Sequence, residues 1–329
     1  MTDLAAHLQT YFTTFASRQR SLSPHTIAAY RDTWTMFLSF LADTTNTRLD
    51  RLDFDHIDTT TVTSFLDYLE NDRGNSIATR NCRLTAIRAV LTRALPHQLD
   101  HAGTVTQVLA IPPKRRPQPI VEYLTAAESA ALIEAPDQNR WTGRRDHALL
   151  VLAIQTGLRI SELVSLTLTS IRLGTGASVT CTGKGRRARA TPLTTATETV
   201  MAAYIKERHH RPGTALFCGP GGKELSRDAI EHRLIIHVAT ATTHCPSLRD
   251  KHITMHTLRH TAAMSLLAQG IDVSVIALWL GHQRTQSTDA YLHADMTIKQ
   301  AALDKTRPLD TRPGTYQPGP GLLEWLNSL

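Results

Sequence analysis

The chain has 329 residues, room for two ordinary domains, and 41% hydrophobic against 20% charged residues excludes a disordered polymer. A net charge of +7 implies an anionic partner, nucleic acid before membrane, because no basic amphipathic anchor stands out. No apolar run approaches the roughly 18 residues that span a bilayer, and the acid at Asp3 argues against an export signal. Cys82, Cys181, Cys218 and Cys245 are scattered without a CxxC pair, which disfavours disulfides and a cysteine-rich zinc site and fits a reducing cytoplasm.

Residues 1 to about 110 read as helical, most simply a four- or five-helix bundle. Ser23-Pro24 opens a helix in which Ile27, Tyr30, Trp34, Phe37, Leu38 and Leu41 recur at helical spacing. A second covers Thr61 to Leu69. A third, Ile77 to Ala94, puts Thr79, Arg80, Asn81, Arg83 and Arg88 near one side and Leu84, Ile87, Val90 and Leu91 on another. That basic side is either a solvated face or a face for a DNA groove. The stretch Ile111 to Pro119 holds four prolines with Lys114, Arg115 and Arg116, an extended basic linker.

Beyond the linker, Thr125 and Glu128 have capping-box spacing. Arg145 to Thr156 reads as a core helix, Gly157 breaks it, and Arg159 starts the next helix with Glu162 one turn on. A surface ion pair between them is the plain alternative, worth a few tenths of a kcal/mol. The segments Val179 to Thr182 and Arg189 to Leu193 flank Gly183-Lys184-Gly185 as a β-hairpin. Lys184, Arg186, Arg187 and Arg189 make it the most concentrated basic segment. It is not a Walker A loop, because Gly185 stands where Ser or Thr is required. Helices follow from Thr197 to Arg208 and from Ser226 to Val238, with a turn at Gly219 to Gly222.

The stretch His256 to Tyr291 carries the densest chemistry. His256 and Arg259 share a helix face, with Leu258, Ala262 and Leu266 as its apolar stripe. Gly270 stops that helix, Asp272 caps another with Val273, Ile276 and Leu280 buried, and Gly281 ends it just before His282. Arginine forks and helix termini suit a bound phosphate. A short apolar segment, 322–329, follows a Pro/Gly-rich tether and needs a docking surface to be helical.

TGLRISEL (156–163), the GKG hairpin (183–193), HTLRHT (256–261) and LGH followed by Tyr291 together resemble the tyrosine recombinases, also called the phage-integrase family, and among them the transposon- or integron-type integrases. The resemblance implies a helical-bundle, SAM-like core-binding domain at 1–111 and a basic proline-rich linker at 112–120. It further implies a mainly α catalytic domain with a small β-sheet (α+β) at 121–306, then a tether and C-terminal docking helix at 307–329. It assigns Tyr291 as nucleophile on the scissile phosphorus, giving a 3′-phosphotyrosine and a free 5′-hydroxyl. Arg159 and Arg259 become the clamp on the non-bridging oxygens and Lys184 the general acid. His256 helps take the phenol proton and His282 bonds a phosphate oxygen. Glu162 and His260 become supporting groups that hold the arginines and His256.

Arg80, Arg83, Arg88, Lys114, Arg115, Arg186, Arg187 and Arg227 are the candidates for DNA contact, each to a base or a phosphate. The expected partners are double-stranded DNA with specific recombination sites, further copies of the chain (a dimer per site, a tetramer at synapsis, the last helix docked in trans), and accessory proteins of the same element. No cofactor, metal or ATP is expected. Ser170 and Thr285 depart from the family's usual acidic and aliphatic residues. The competing readings are a type IB-like topoisomerase, a DNA-binding regulator without chemistry, and a zinc enzyme using His256 and His260. The last lacks an H-E-x-x-H motif.

Overall fold

The computed structural model describes residues 2–115, 121–183 and 188–281, with the single positions 321 and 327. Contacts divide the chain into two compact units, Met1–Gln118 and Pro119–Leu329.

The first unit is all helical. Helix α1 (Asp3–Thr10) runs on as a π-helical stretch, Tyr11–Gln19, which residue patterning does not reveal. Helix α2 (Pro24–Thr45) begins as read, with Ser23 accepting from the Thr26 N–H and Pro24 in the first turn, and stops at Asn46 in the left-handed region. Helices α3 (Thr59–Asn71), α4 (Ile77–Ala94) and α5 (Ala102–Ala110) complete the unit. Trp34, Phe37 and Leu41 of α2 meet Phe65 and Leu69 of α3 and Ile87, Val90 and Leu91 of α4 in one core. The indole of Trp34 donates to the Ala86 carbonyl, 3.3 Å away, so its polar edge is satisfied inside that core.

The reading of α4 as carrying an open basic side needs correction. Arg80 is buried, 4% exposed, and pairs with Glu70 of α3 at 3.2 Å. Arg83 donates to the Ala29 carbonyl and the Thr33 hydroxyl of α2. Arg88 donates to the carbonyls of Leu109 and Ile111 beyond α4. These guanidiniums join helices because their long stems reach carbonyls and a carboxylate on other elements. Lys114 is likewise engaged, its ammonium on Glu70 and its backbone on Asn81, whereas Arg115 is exposed.

In the second unit, α6 (Ala126–Glu134) opens on the Thr125–Glu128 capping box. Helices α7 (Trp141–Thr156) and α8 (Ile160–Val164) follow. A three-stranded antiparallel sheet comes next, order β1 (Ile171–Arg172), β2 (Ser178–Thr182), β3 (Ala188–Pro192). The β2–β3 hairpin was legible, and β1 was too short to be seen. Its tip, with Lys184, Arg186 and Arg187, lies outside the described residues. Ser170 takes a capping role, its hydroxyl accepting from the Thr167 N–H. Helices α9 (Thr195–Arg208), α10 (Arg227–Thr242), α11 (Met255–Ala268) and α12 (Val273–Leu280) complete the unit.

Leu132, Leu152, Leu163, Val179, Met201, Phe217 and Leu258 anchor its main core, and Met264, Leu267, Ile276 and Leu280 pack α11 on α12. Asp146 of α7, 3% exposed, gathers buried Arg145, Arg233 and His237 of α10, while Arg145 also reaches the Cys218 carbonyl. Among the described residues no helix is long and apolar enough to cross a membrane.

Candidate active site

Gly157 ends α7 at φ +63°, a conformation that L side chains resist. A Cβ there would also lie 2.6 Å from Leu280 Cδ2, so only glycine lets α12 approach this turn. The chain then re-enters a helix at Arg159. Glu162 accepts the Arg159 backbone N–H at 2.7 Å and its Nη1 at 3.0 Å. Glu162 is only 2% exposed, so the pair is no surface decoration.

Helix α11 starts on a Thr254–Thr257 capping box and carries Arg259, also 2% exposed. Its Nη1 donates to the Gly157 carbonyl and its Nη2 to the Leu280 carbonyl, both at 2.6 Å. Arg159 Nη2 donates to the next carbonyl, Gly281, at 3.3 Å. The two guanidiniums predicted to act together thus sit on neighbouring carbonyls at the end of α12. Helix C-termini attract cations because their last carbonyls lack intrahelical donors.

His256 is exposed, one turn before Arg259, with its ring 4.2 Å from that of His260 in an edge-on contact. Both rings line an open recess with Val121, Glu122, His252, Thr254 and Thr257. Partial burial, then the positive fields of Arg259 and Arg159, hold the His256 imidazole below its ordinary range. Burial, with His256 and Arg259 adding to it, pushes His260 down to about 4. Both rings are therefore neutral at pH 7, and a neutral imidazole can accept a proton. Burial pushes Glu162 toward the protonated form. Hydrogen bonds from Arg189 and the Arg159 backbone, with both positive charges, outweigh this and hold it ionised.

The structure therefore brings together Arg159, Glu162, His256, Arg259 and His260. Lys184, His282 and Tyr291 lie outside the described residues. Arg227 is exposed at the start of α10 and pairs with Glu231 at 3.1 Å. Sequence reasoning grouped Arg189 with the basic hairpin tip and missed where it points. It lies opposite buried Cys181 in the β2–β3 register, and strand alternation puts it on the inward face with buried Thr191. That alternation was the available signal. Among the described residues, no group of three or more His, Cys, Asp or Glu is placed to hold a metal.

Residues 122–297 match the model of the phage integrase family, and residues 10–98 match that of the phage integrase N-terminal SAM-like domain. The protein named "Putative integrase/recombinase y4rC" from Sinorhizobium fredii is 42% identical, over 99% of this chain and 98% of its own. Tyrosine recombinase XerC of Pelobacter propionicus is 31% identical, over 88% and 91%. In fold, the chain is similar to the Tn1549 transposon integrase in complex with transposon right end DNA, with TM-score 0.71 and 16% identity over 93% of this chain and 99% of that one. It is also similar to the lambda integrase seen as a tetramer bound to a Holliday junction, TM-score 0.60 and 18% identity over 94% and 80%. Matched by the family model over its second unit and by a relative along nearly its whole length, the chain belongs to the phage integrase family, the tyrosine-type site-specific recombinases that break and rejoin DNA.

Proposed function

We propose that Tyr291 cleaves one strand of the recombination site by attacking the scissile phosphorus. The new bond joins the phenol oxygen to phosphorus, and the bond to the 5′-oxygen breaks. The phenol proton passes to neutral His256, and Lys184 supplies a proton to the leaving 5′-oxygen. Arg159 and Arg259 hold the non-bridging oxygens, and His282 bonds one of them. Rejoining runs the same steps backward with a new 5′-hydroxyl. The ester energy is kept in the phosphotyrosine, so no nucleotide is consumed.

The observation that carries this reading is the seating of Arg159 and Arg259 on the carbonyls of Gly281 and Leu280, immediately before His282. Each Nη of Arg159 bears a second N–H beyond the one so used. Arg159, Arg189 and Arg259 against Glu162 also give the described site a surplus of positive charge, which suits a transition state with one more negative charge than the diester. Two duplexes have four strands and each chain supplies one nucleophile, so exchange requires four protomers, two on each site. The names of the Sinorhizobium and Tn1549 relatives support a task in a mobile element. The test is incubation with nicked suicide duplexes from DNA flanking the gene. A covalent protein–DNA species forms with wild type and is absent with Tyr291→Phe; its persistence in that variant refutes the assignment.

A further inference from the structure

The three carbonyls that close α12 are each taken by a different arginine. Arg189 Nε donates to Trp279 at 3.2 Å, Arg259 to Leu280, and Arg159 to Gly281. Arg189 also places Nη1 and Nη2 on the two oxygens of Glu162, each at 2.8 Å. This is the planar, two-bonded fit that guanidinium makes and ammonium does not. All three of its nitrogens therefore work inside the protein, and its side chain is 14% exposed. In this it differs from a residue that meets DNA.

Glu162 is the shared element. Its Oε1 serves Arg189 and Arg159 Nη1, and its Oε2 serves Arg189 and the Arg159 backbone. A buried carboxylate seeks as many charged donors as it can reach. With Arg189 in place that demand is met, and Arg159 gives Glu162 a single Nη. Without Arg189 the carboxylate would turn to Arg159 for the second bond and draw that guanidinium off the phosphate position. We infer that Arg189 is a positioning residue, which saturates Glu162 and braces the last turn of α12 so that the Arg159 guanidinium stays available to the scissile phosphate. The inference rests on the proposed role of Arg159 as phosphate clamp.

The experiment measures single-turnover cleavage by the full chain, on suicide duplexes first selected for covalent capture by wild type. Each duplex is made with an ordinary scissile phosphate and with a methylphosphonate, whose neutral methyl group removes the negative oxygen that the clamp serves. Arg189→Met is expected to slow cleavage of the phosphate on the order of 10–100-fold, the usual effect of losing a group that orients a functional residue. On the methylphosphonate that deficit shrinks to a few-fold, as it does for Arg159→Ala. The double variant Glu162→Gln/Arg189→Met leaves no unpaired buried carboxylate. It recovers thermal stability and part of the cleavage rate on the phosphate, because the carboxylate that would draw Arg159 away is gone.

Wild-type cleavage by Arg189→Met overturns the inference. So does an equal deficit on both substrates, which marks a general defect of folding, and so does a double variant that recovers stability yet stays as slow as Arg189→Met on the phosphate. Normal cleavage of the phosphate by Arg159→Ala instead refutes the clamp itself, and is thereby told apart from a failure specific to Arg189.

Discussion

Gly270 and Gly281 form a matched pair that separates backbone strain from loss of site geometry. Both have positive φ, +80° and +65°. Alanine at either costs about 1–2 kcal/mol for the left-handed conformation. The surroundings differ: a Cβ at Gly270 meets nothing within 4 Å, whereas one at Gly281 lies 2.8 Å from Arg189 Nη1, 3.0 Å from its Cζ and 3.1 Å from its Cδ. The guanidinium must move by some tenths of an ångström, and its 3.2 Å bond to Trp279 is the first to fail. A hydrogen bond to a charged group contributes roughly 1.5–3 kcal/mol. Gly281→Ala should therefore destabilise by about 2.5–5 kcal/mol and Gly270→Ala by about 1–2 kcal/mol. Urea unfolding and single-turnover DNA cleavage on the same preparations test this. Gly281→Ala should cleave roughly tenfold more slowly and Gly270→Ala at the wild-type rate. Equal rates in the two variants would refute the reasoning that Arg189, braced on the Trp279 carbonyl, matters to cleavage.

Asp146→Asn leaves Arg145, 2% exposed, with no charged partner at Asp146. It should cost about 3–5 kcal/mol in urea unfolding, while cleavage by the folded protein keeps its rate. Arg115→Gln should lower the slope of log affinity for DNA against log salt by about 0.9, if Arg115 contacts a phosphate. Arg80→Gln should weaken the first unit by losing its ion pair with Glu70 and leave that slope unchanged. Burial pushes His260 down to about 4 in the folded chain, against an ordinary value of 6.5. Between those values the unfolded chain binds more protons, so stability falls as pH drops from 6.5 toward 4 and levels off below. The loss is at most about 3 kcal/mol and less in practice, because the ring is only partly buried. In His260→Gln this part of the pH dependence should vanish from urea unfolding curves.

What could be read in advance was local. Ser23, Thr125 and Asp272 announce helix starts because a cap and the N–H it accepts lie two or three residues apart. Gly157 and Gly281 announce stops because few other residues reach positive φ. The motifs likewise brought Arg159, Glu162, His256, Arg259 and His260 to one place. The destinations of the guanidiniums were not legible, since they depend on packing between distant elements. Arg259 reaches a carbonyl 102 residues away and Arg189 one 90 residues away. The same limit explains α4: helical period puts Arg80 on the polar side, but only the packing of α3 brings Glu70 over it and buries the guanidinium.

Three guanidiniums around one buried carboxylate are an unfavourable arrangement in isolation, and the way the fold tolerates it bears on the chemistry. Like charges a few ångströms apart repel by about 3 kcal/mol at an effective dielectric near 20. Glu162 offsets part of that, and the carbonyl end of α12 offsets more, because it carries the negative pole of the helix dipole. Neither is an ion that can leave or reorganise when substrate arrives. The positive field is thus fixed before DNA binds, and what remains uncompensated has the sign of charge that a phosphodiester neutralises. Lysines could supply the charge but not the geometry, since an ammonium cannot bond a carbonyl on one edge and present parallel N–H groups on another. On the proposed mechanism the arrangement requires arginine at 159, 189 and 259 for different reasons: the first and last to face the phosphate, the middle one to keep the first from turning away.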